Sequence, residues 1–265
     1  MPRLNAGLVR TLQPTRGSVF MSGTAFEAAA VVVAAGRGIR IGGDVPKQYR
    51  RVGGQAVLTR TLAALAAHDA ITSIQPVIAA DAQDFYHECV ADLPESARAK
   101  LRAPVPGGAT RQLSVRAGLE ALATGETPGL VLVHDAARPH VDTALIDRAL
   151  AAGRDYGAAV PGLTVTDTIK RVETIAPGIG RVVETPAREH LRAVQTPQAF
   201  AFGLLLDAHR AAGAEGLDGF TDDGALAEWA GLPVVVFAGD PRNRKITQPS
   251  DLIDADRDFS GAVPA

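Results

Sequence analysis

Short apolar runs alternate with longer amphipathic segments over most of this chain, and this alternation limits the folds open to it. The apolar runs, each of strand length, are residues 28–34, 74–79, 101–105, 130–133, 158–160 and 234–237. The segments with helical periodicity are residues 56–67, 81–90, 110–123, 143–152, 202–212 and 222–230. Buried strands separated by helices are typical of crossover units that build a parallel sheet. The sequence therefore predicts an α/β fold in which helices cover both faces of a mostly parallel sheet.

The domain organisation follows from length and from the lack of interruptions. The chain has 265 residues, of which 46% are hydrophobic, so it can bury one large core. No internal repeat or low-complexity linker breaks the pattern, and we expect a single domain over residues 25–258. Residues 1–24 are expected to be a disordered extension or an upstream start, with an amphipathic targeting peptide as the alternative. Residues 259–265 are expected to form a C-terminal tail.

Charge and cysteine content exclude several classes of partner and site. The formal net charge is −2, which gives no global attraction to nucleic acid or to an anionic membrane. The single cysteine, Cys89, excludes an internal disulfide and a multi-cysteine metal cluster. Nowhere does the chain offer the ~18 consecutive apolar residues of a membrane span. We therefore predict a cytoplasmic protein that binds neither nucleic acid nor membrane.

One stretch, TVTDTIKRVETIAPGIGRVVETPARE at residues 164–189, departs from the α/β alternation. Its β-branched residues flank APGIG, which predicts two strands joined by a turn. A long hairpin outside the core has little to pack against by itself, so we expect this arm to cross a partner subunit. The alternative is a surface flap that packs on its own domain.

The loop after the first apolar run, GRGIRIGGDVPKQ at residues 36–48, combines four glycines with Arg37, Arg40 and Lys47. It lacks the glycine spacing of a dinucleotide-binding turn and the Gly-Lys-Ser/Thr of a Walker loop. Glycines expose backbone N–H groups, and the cations add charge, so the loop suits a triphosphate. A solvated basic surface loop fits the same residues equally well.

The segment VLVHDAARP at residues 131–139 places His134 and Asp135 at the carboxyl end of a buried strand, where open parallel sheets bind ligands. We interpret His134 as an interior histidine with satisfied hydrogen bonds. The Asp135 carboxylate could instead ligate Mg²⁺ or accept hydrogen bonds from hydroxyl groups of a ligand. The alternative is that it caps the following turn.

In TDDGALAE at 221–228, Thr221 is expected to cap a helix. For Asp222 and Asp223 we favour a structural role in the first turn of this helix. The alternative is that they order the edge of the active site.

Seven motifs in order make the chain resemble a known family. They are AAGRGIR with PKQY, PGGATRQLSV, VLVHDAARP, DTIK, AVQTPQAF, TDDGALAE and GDPRNRKIT. Together they resemble the pyrimidine nucleotidyltransferases of Rossmann-like fold, especially the 2-C-methyl-D-erythritol 4-phosphate cytidylyltransferases. The resemblance implies a three-layer α/β/α nucleotidyltransferase fold with a protruding β-hairpin arm.

The resemblance also implies a reaction. A cytidylyl group would pass from CTP to 2-C-methyl-D-erythritol 4-phosphate with release of pyrophosphate, assisted by Mg²⁺ or another divalent cation, in a homodimer joined through the arm. Ribitol-5-phosphate cytidylyltransferases share much of the motif set and are the nearest alternative. A non-catalytic nucleotide-binding module and a nicotinamide-dependent oxidoreductase are the alternatives from other classes.

Site residues are carried over from the family motif by motif. The resemblance implies catalytic roles for Arg40, Lys47 and Lys245. It implies nucleotide contacts from Ala34, Ala35, Gly36, Gly38, Gly108, Ser114 and Asp135. It implies contacts to the phosphate substrate from Asp135, Arg138, Thr168, Arg188 and Lys245, and metal binding by Asp135. Where the family often has an acidic residue, this chain has Ala109, whose backbone alone can contribute.

Overall fold

The computed structural model of the chain describes residues 27–36 and 45–261. Its strands are β1 (Ala28–Ala34), β2 (Arg51–Val52), β3 (Gln55–Ala56), β4 (Ile71–Ile78), β5 (Val105–Pro106), β6 (Leu130–Asp135), β7 (Ala158–Thr164), β8 (Arg171–Ala176), β9 (Ile179–Glu184), β10 (Arg192–Val194), β11 (Gln198–Ala201) and β12 (Val235–Ala238). Its α-helices are α1 (Val57–Ala66), α2 (Gln83–Ala91), α3 (Glu95–Arg98), α4 (Arg111–Leu122), α5 (Thr143–Tyr156), α6 (Phe202–Ala214), α7 (Asp223–Trp229) and α8 (Pro249–Ser260). The expected extension, residues 1–24, lies outside the described residues.

The main sheet has eight strands and is mostly parallel. β1 lies between β4 and β6, and β5 continues the sheet beyond β4, all in parallel pairs. β11 pairs antiparallel with both β6 and β7, and β12 pairs parallel with β7. Because β1 and β6 are neighbours and run the same way, their carboxyl ends open at the same edge of the sheet.

Two hydrophobic clusters cover the two faces of this sheet. One contains Leu62 of α1 and Leu145 of α5, and the other contains Leu119 of α4 and Leu226 of α7. α4 approaches the sheet closely at Gly118, where an added Cβ would come within 2.6 Å of a Val31 methyl group. The predicted three-layer α/β/α fold is confirmed.

The predicted arm is present as a separate two-stranded sheet. β8 and β9 pair antiparallel with each other around Pro177 and Gly178, and Gly178 takes the left-handed backbone conformation with φ of 75°. Both strands carry exposed apolar side chains, among them Val172 and Ile175. The hairpin within residues 164–189 is thus confirmed, and its apolar surface is not covered by the described residues of its own chain.

Three details of the structure differ from the expectations. Residues 101–105 do not form one strand, because only a bridge at Leu101 and the pair Val105–Pro106 join the sheet. β11 was not anticipated; it is short and follows Pro197. The domain does not end at residue 258, since α8 runs through Ser260. Phe259 is part of its packing, with the Arg60 guanidinium carbon 4.0 Å from its ring centroid.

Candidate active site

A cavity of about 490 Å³ opens at the carboxyl ends of β1 and β6, within the size range of small-molecule sites. The predicted residues on its wall are Ala34, Ala35, Gly36, Lys47, Gly108, Ser114, Asp135 and Lys245. Gly38 and Arg40 lie outside the described residues. The fold therefore gathers into one cavity eight residues that are spread over more than two hundred positions of the chain.

Asp135 ends β6 and is surrounded by cations. Lys245 Nζ lies 2.8 Å from its Oδ2, Arg111 Nε lies 3.3 Å from its Oδ1, and Arg138 Nε lies 3.6 Å from Oδ2. Burial opposes ionisation, but the attraction of Arg111, Lys245 and Arg138 is stronger and holds the pKa of this carboxyl well below its usual range. Asp135 is therefore a carboxylate at neutral pH, as its predicted ligand-binding role requires.

Lys47 and Lys245 both line the cavity. Lys47 Nζ donates a hydrogen bond of 2.7 Å to the carbonyl of Ile246, the residue after Lys245. The adjacent Gln48 donates from Nε2 to the carbonyls of Ala34 (2.6 Å) and Gly36 (2.9 Å). The lysine is thereby anchored to the end of β1, and sequence reasoning did not single out the glutamine that anchors it.

The start of α4 and the turn before it also line the cavity. Thr110 caps the helix by accepting a hydrogen bond from Leu113 N–H. Ser114 Oγ accepts from Gly108 N–H at 3.1 Å and donates to the carbonyl of Thr110 at 2.9 Å. An added Cβ at Gly107 would lie 2.8 Å from Ser114 Oγ, so only glycine leaves this turn room. The N-terminus of a helix, which favours anions, thus borders the cavity.

His134 has the interior role expected of it. It is fully buried; its Nδ1 lies 3.0 Å from Thr196 Oγ1 and its Nε2 lies 3.2 Å from the carbonyl of Arg138. Because a carbonyl only accepts, Nε2 carries the proton and Nδ1 accepts from the threonine hydroxyl. Burial lowers the pKa of His134 to about 4, against the attraction of Asp135. The imidazole is therefore neutral at pH 7 and holds the end of β6 in place.

Three predicted substrate contacts do not line the cavity. Arg138 is buried behind Asp135 and donates to the carbonyl of Asn243 at 2.9 Å. Thr168 and Arg188 are exposed at the base of the arm, and Arg188 donates to the carbonyl of Thr166. Asp135 and the carbonyl of Asn243 hold the Arg138 guanidinium inward, and its contact with the phosphate substrate stays a prediction.

Sequence reasoning missed Arg111, the first residue of α4. Its guanidinium lines the cavity and pairs with two carboxylates, Asp135 and Asp223. The expected cap of α7 also differs, since Asp222 rather than Thr221 accepts from Ala225 N–H. The GGATR motif contained a signal for Arg111, but its two partners lie 24 and 112 positions away.

The described residues fit a metal that arrives with its substrate. Across residues 27–36 and 45–261, no group of three or more His, Cys, Asp or Glu side chains could hold an ion. Among the described residues that line the cavity, Asp135 is the one carboxylate. Mg²⁺ is commonly bound by one or two carboxylates together with substrate phosphates. The donor set therefore suits a cation that enters with a triphosphate.

No helix within the described part of the chain is long and apolar enough to cross a membrane.

Comparisons with known proteins agree with this geometry. A family model described as IspD, 2-C-methyl-D-erythritol 4-phosphate cytidylyltransferase, matches residues 28–259. The bifunctional enzyme IspD/IspF of Nitrobacter winogradskyi is 49% identical over 235 residues, which cover 89% of this chain and 56% of that protein. The bifunctional enzyme IspD/IspF of Rhodopseudomonas palustris is 52% identical over 225 residues, which cover 85% and 54%. The chain thus spans about half the length of these curated relatives.

Two solved structures match this chain over almost their whole length. The 2-C-methyl-D-erythritol 4-phosphate cytidylyltransferase of Thermus thermophilus matches with a TM-score of 0.69 and 35% identity, covering 88% of this chain and 98% of that one. The 4-diphosphocytidyl-2C-methyl-D-erythritol synthase of Anaerococcus prevotii matches with a TM-score of 0.75 and 29% identity, covering 89% and 96%. Fold, motif order and family match agree, and the chain belongs to the IspD family of 2-C-methyl-D-erythritol 4-phosphate cytidylyltransferases.

Proposed function

We propose that this chain transfers a cytidylyl group from CTP to 2-C-methyl-D-erythritol 4-phosphate in non-mevalonate isoprenoid precursor biosynthesis. The products are 4-diphosphocytidyl-2-C-methyl-D-erythritol and pyrophosphate. The observation that carries the proposal is one cavity lined by Lys47, Lys245, Asp135 and the N-terminus of α4, in a member of this family. The proposal concerns only the half of the bifunctional relatives that this chain matches.

In this reaction an oxygen of the sugar-alcohol phosphate attacks the α-phosphorus of CTP. The new P–O bond forms as the bond from the α-phosphorus to the bridging oxygen breaks, and pyrophosphate leaves. No covalent nucleophile is needed, because the attacking phosphate is already ionised at neutral pH. Both reactants are anions, so their repulsion and the charge on the nonbridging oxygens must be offset by fixed cations.

Lys47 and Lys245 supply that charge from fixed positions. The carbonyl of Ile246 holds one ammonium group and the Asp135 carboxylate holds the other before a nucleotide binds. Preorganised charge of this kind lowers the barrier because little rearrangement is left for the transition state. Arg40 is proposed as the third catalytic cation, and Mg²⁺ or another divalent cation held by Asp135 would neutralise phosphate charge.

For the nucleotide, we propose contacts from the backbone of Ala34, Ala35, Gly36 and Gly38 and from the turn that contains Gly108 and Ser114. The turn supports this because Gly108, Thr110 and Ser114 line the cavity. A pyrimidine base needs both donors and acceptors at its polar edge, and backbone groups beside a helix N-terminus can supply them.

For the phosphate substrate, we propose that Thr168 and Arg188 reach the cavity of a second copy in a homodimer joined through the arm. The exposed apolar side chains on the arm support this, because such a patch marks an interaction surface. Light scattering at assay concentrations is expected to give twice the chain mass. A monomer that retains full activity would refute the shared site. The cytoplasmic location expected from the sequence stays a prediction.

The assay that tests the function measures pyrophosphate release from CTP with each of two acceptors. We expect release with 2-C-methyl-D-erythritol 4-phosphate and little with ribitol 5-phosphate. Release with the ribitol substrate alone would assign the chain to the alternative reaction. Binding of CTP without release with either acceptor would identify a non-catalytic nucleotide-binding module.

A further inference from the structure

Arg111 bridges two carboxylates, one in the cavity and one behind it. Its Nη1 lies 2.7 Å from Asp223 Oδ2, and its Nε lies 3.3 Å from Asp135 Oδ1. The shorter contact is the one to the carboxylate outside the cavity. The position of this guanidinium on the cavity wall is therefore set mainly by Asp223.

Asp223 is itself held firmly, although it does not line the cavity. Its side chain is 1% exposed, and His209, which is fully buried on α6, lies with Nε2 3.0 Å from Oδ1. The backbone N–H of Asp223 donates to Gln198 Oε1 at 3.1 Å. Burial works against ionisation of Asp223, but Arg111 and the hydrogen bond from His209 outweigh it and keep its pKa below the usual range. A fixed, charged carboxylate thus stands behind the guanidinium.

The two oxygens of Asp135 are divided between different cations as a result. Arg111 takes Oδ1, and Lys245, proposed to act on the reacting phosphates, takes Oδ2. A guanidinium that lost its stronger partner would be free to take both oxygens of Asp135 or to turn toward an anionic ligand, since arginine pairs bidentately with carboxylates and phosphates. Either movement would displace Lys245 or the nucleotide.

We propose that Asp223 is a positioning residue for cytidylyl transfer, holding Arg111 so that Asp135 stays available to Lys245 and to the incoming nucleotide. This inference rests on the proposed function. It assigns a role to the buried aspartate of TDDGALAE, whose neighbour Asp222 only caps α7 and accepts from Gln198 Nε2.

The test compares two adjacent and isosteric substitutions, Asp223→Asn and Asp222→Asn. Each is assayed with CTP and 2-C-methyl-D-erythritol 4-phosphate at a temperature below the melting point of every variant. We expect Asp223→Asn to lower kcat/KM for CTP roughly tenfold to 10²-fold, with the KM for the sugar phosphate within about twofold of wild type. Asp222→Asn is expected to stay within about twofold in both. Equal losses in the two variants would reduce Asp223 to a structural role.

A double-mutant cycle tests whether Asp223 acts through Arg111. If it does, Asp223→Asn combined with Arg111→Gln loses no more activity than Arg111→Gln alone, because the partner is already gone. Multiplied losses would overturn the proposal. Should Asp223→Asn fail to fold, Arg111→Lys decides the matter, because a lysine keeps the charge but cannot bridge both carboxylates. Near-wild-type kcat/KM in Arg111→Lys would then refute the bridge.

Titration of each variant with CTP and Mg²⁺ by calorimetry separates this inference from the proposed function. If wild type binds CTP but releases no pyrophosphate, the proposed function fails. Weaker CTP binding in Asp223→Asn, roughly tenfold, with normal binding in Asp222→Asn, would still support the positioning role. Unchanged CTP binding in both variants, in a protein that shows no turnover, would overturn it.

Discussion

Lowering the pH from 7.5 to 5 should destabilise this protein through His134. The pKa of this buried imidazole is lowered to about 4, whereas an unfolded chain has the ordinary histidine pKa of about 6.5. Between these values the unfolded state binds a proton that the folded state does not, so stability is full above pH 6.5 and falls as the pH drops toward 4. At pH 5 the loss from this residue is about 2 kcal/mol.

Urea unfolding at a series of pH values measures this loss of stability. The fluorescence of Trp229, the single tryptophan of the chain, reports the unfolding. Asp135 and Asp223, whose pKa values are lowered, contribute stability that is lost only near pH 4 and below, outside the window. Burial also lowers the pKa of His140, so the wild-type slope contains a second contribution of the same sign. The contribution of His134 must therefore be isolated with a variant.

The substitution His134→Gln isolates the contribution of His134 to this pH dependence. The glutamine side-chain amide can still donate a hydrogen bond to the carbonyl of Arg138, but it does not titrate. The variant starts from lower stability, and we expect its decline between pH 7.5 and 5 to be about 2 kcal/mol smaller than that of wild type. Parallel curves for wild type and His134→Gln would refute the reasoning.

Three further outcomes follow from the cavity. Lys47→Ala should lower kcat ~10²–10³-fold at saturating CTP with an unchanged circular dichroism spectrum, and near-normal turnover would contradict its proposed role. Arg188→Ala should chiefly raise the KM for the phosphate substrate, and an unchanged KM in an intact dimer would count against the cross-subunit contact. Gly107→Ala places a Cβ 2.8 Å from Ser114 Oγ, so calorimetry should show that CTP binds roughly tenfold more weakly. Wild-type affinity for CTP would show that the turn can shift to make room for the methyl group.

Much of the fold was readable from local patterns. The spacing of apolar residues predicted β1, β6 and β12 and the helices α1, α4 and α6 to within a few residues. Local chemistry also predicted the hairpin turn around Gly178. The sequence did not predict β11 or α8. The four buried residues of β11 follow a proline and show no clear hydrophobic periodicity, and α8 has only a narrow apolar face.

Some features of the site were also predictable from the sequence, and others were not. The sequence by itself indicated that an anion-binding loop follows β1 and that a ligand-binding carboxylate ends β6, because strand ends and glycine-rich turns are local features. Only the tertiary structure decided that Lys47 meets the carbonyl of a residue 199 positions away, that Arg138 turns inward, and that Asp223 holds Arg111. Local periodicity sets which face of an element is apolar. The partner of a buried charge depends on which distant side chain the packed core brings within hydrogen-bond reach, and no local pattern encodes that.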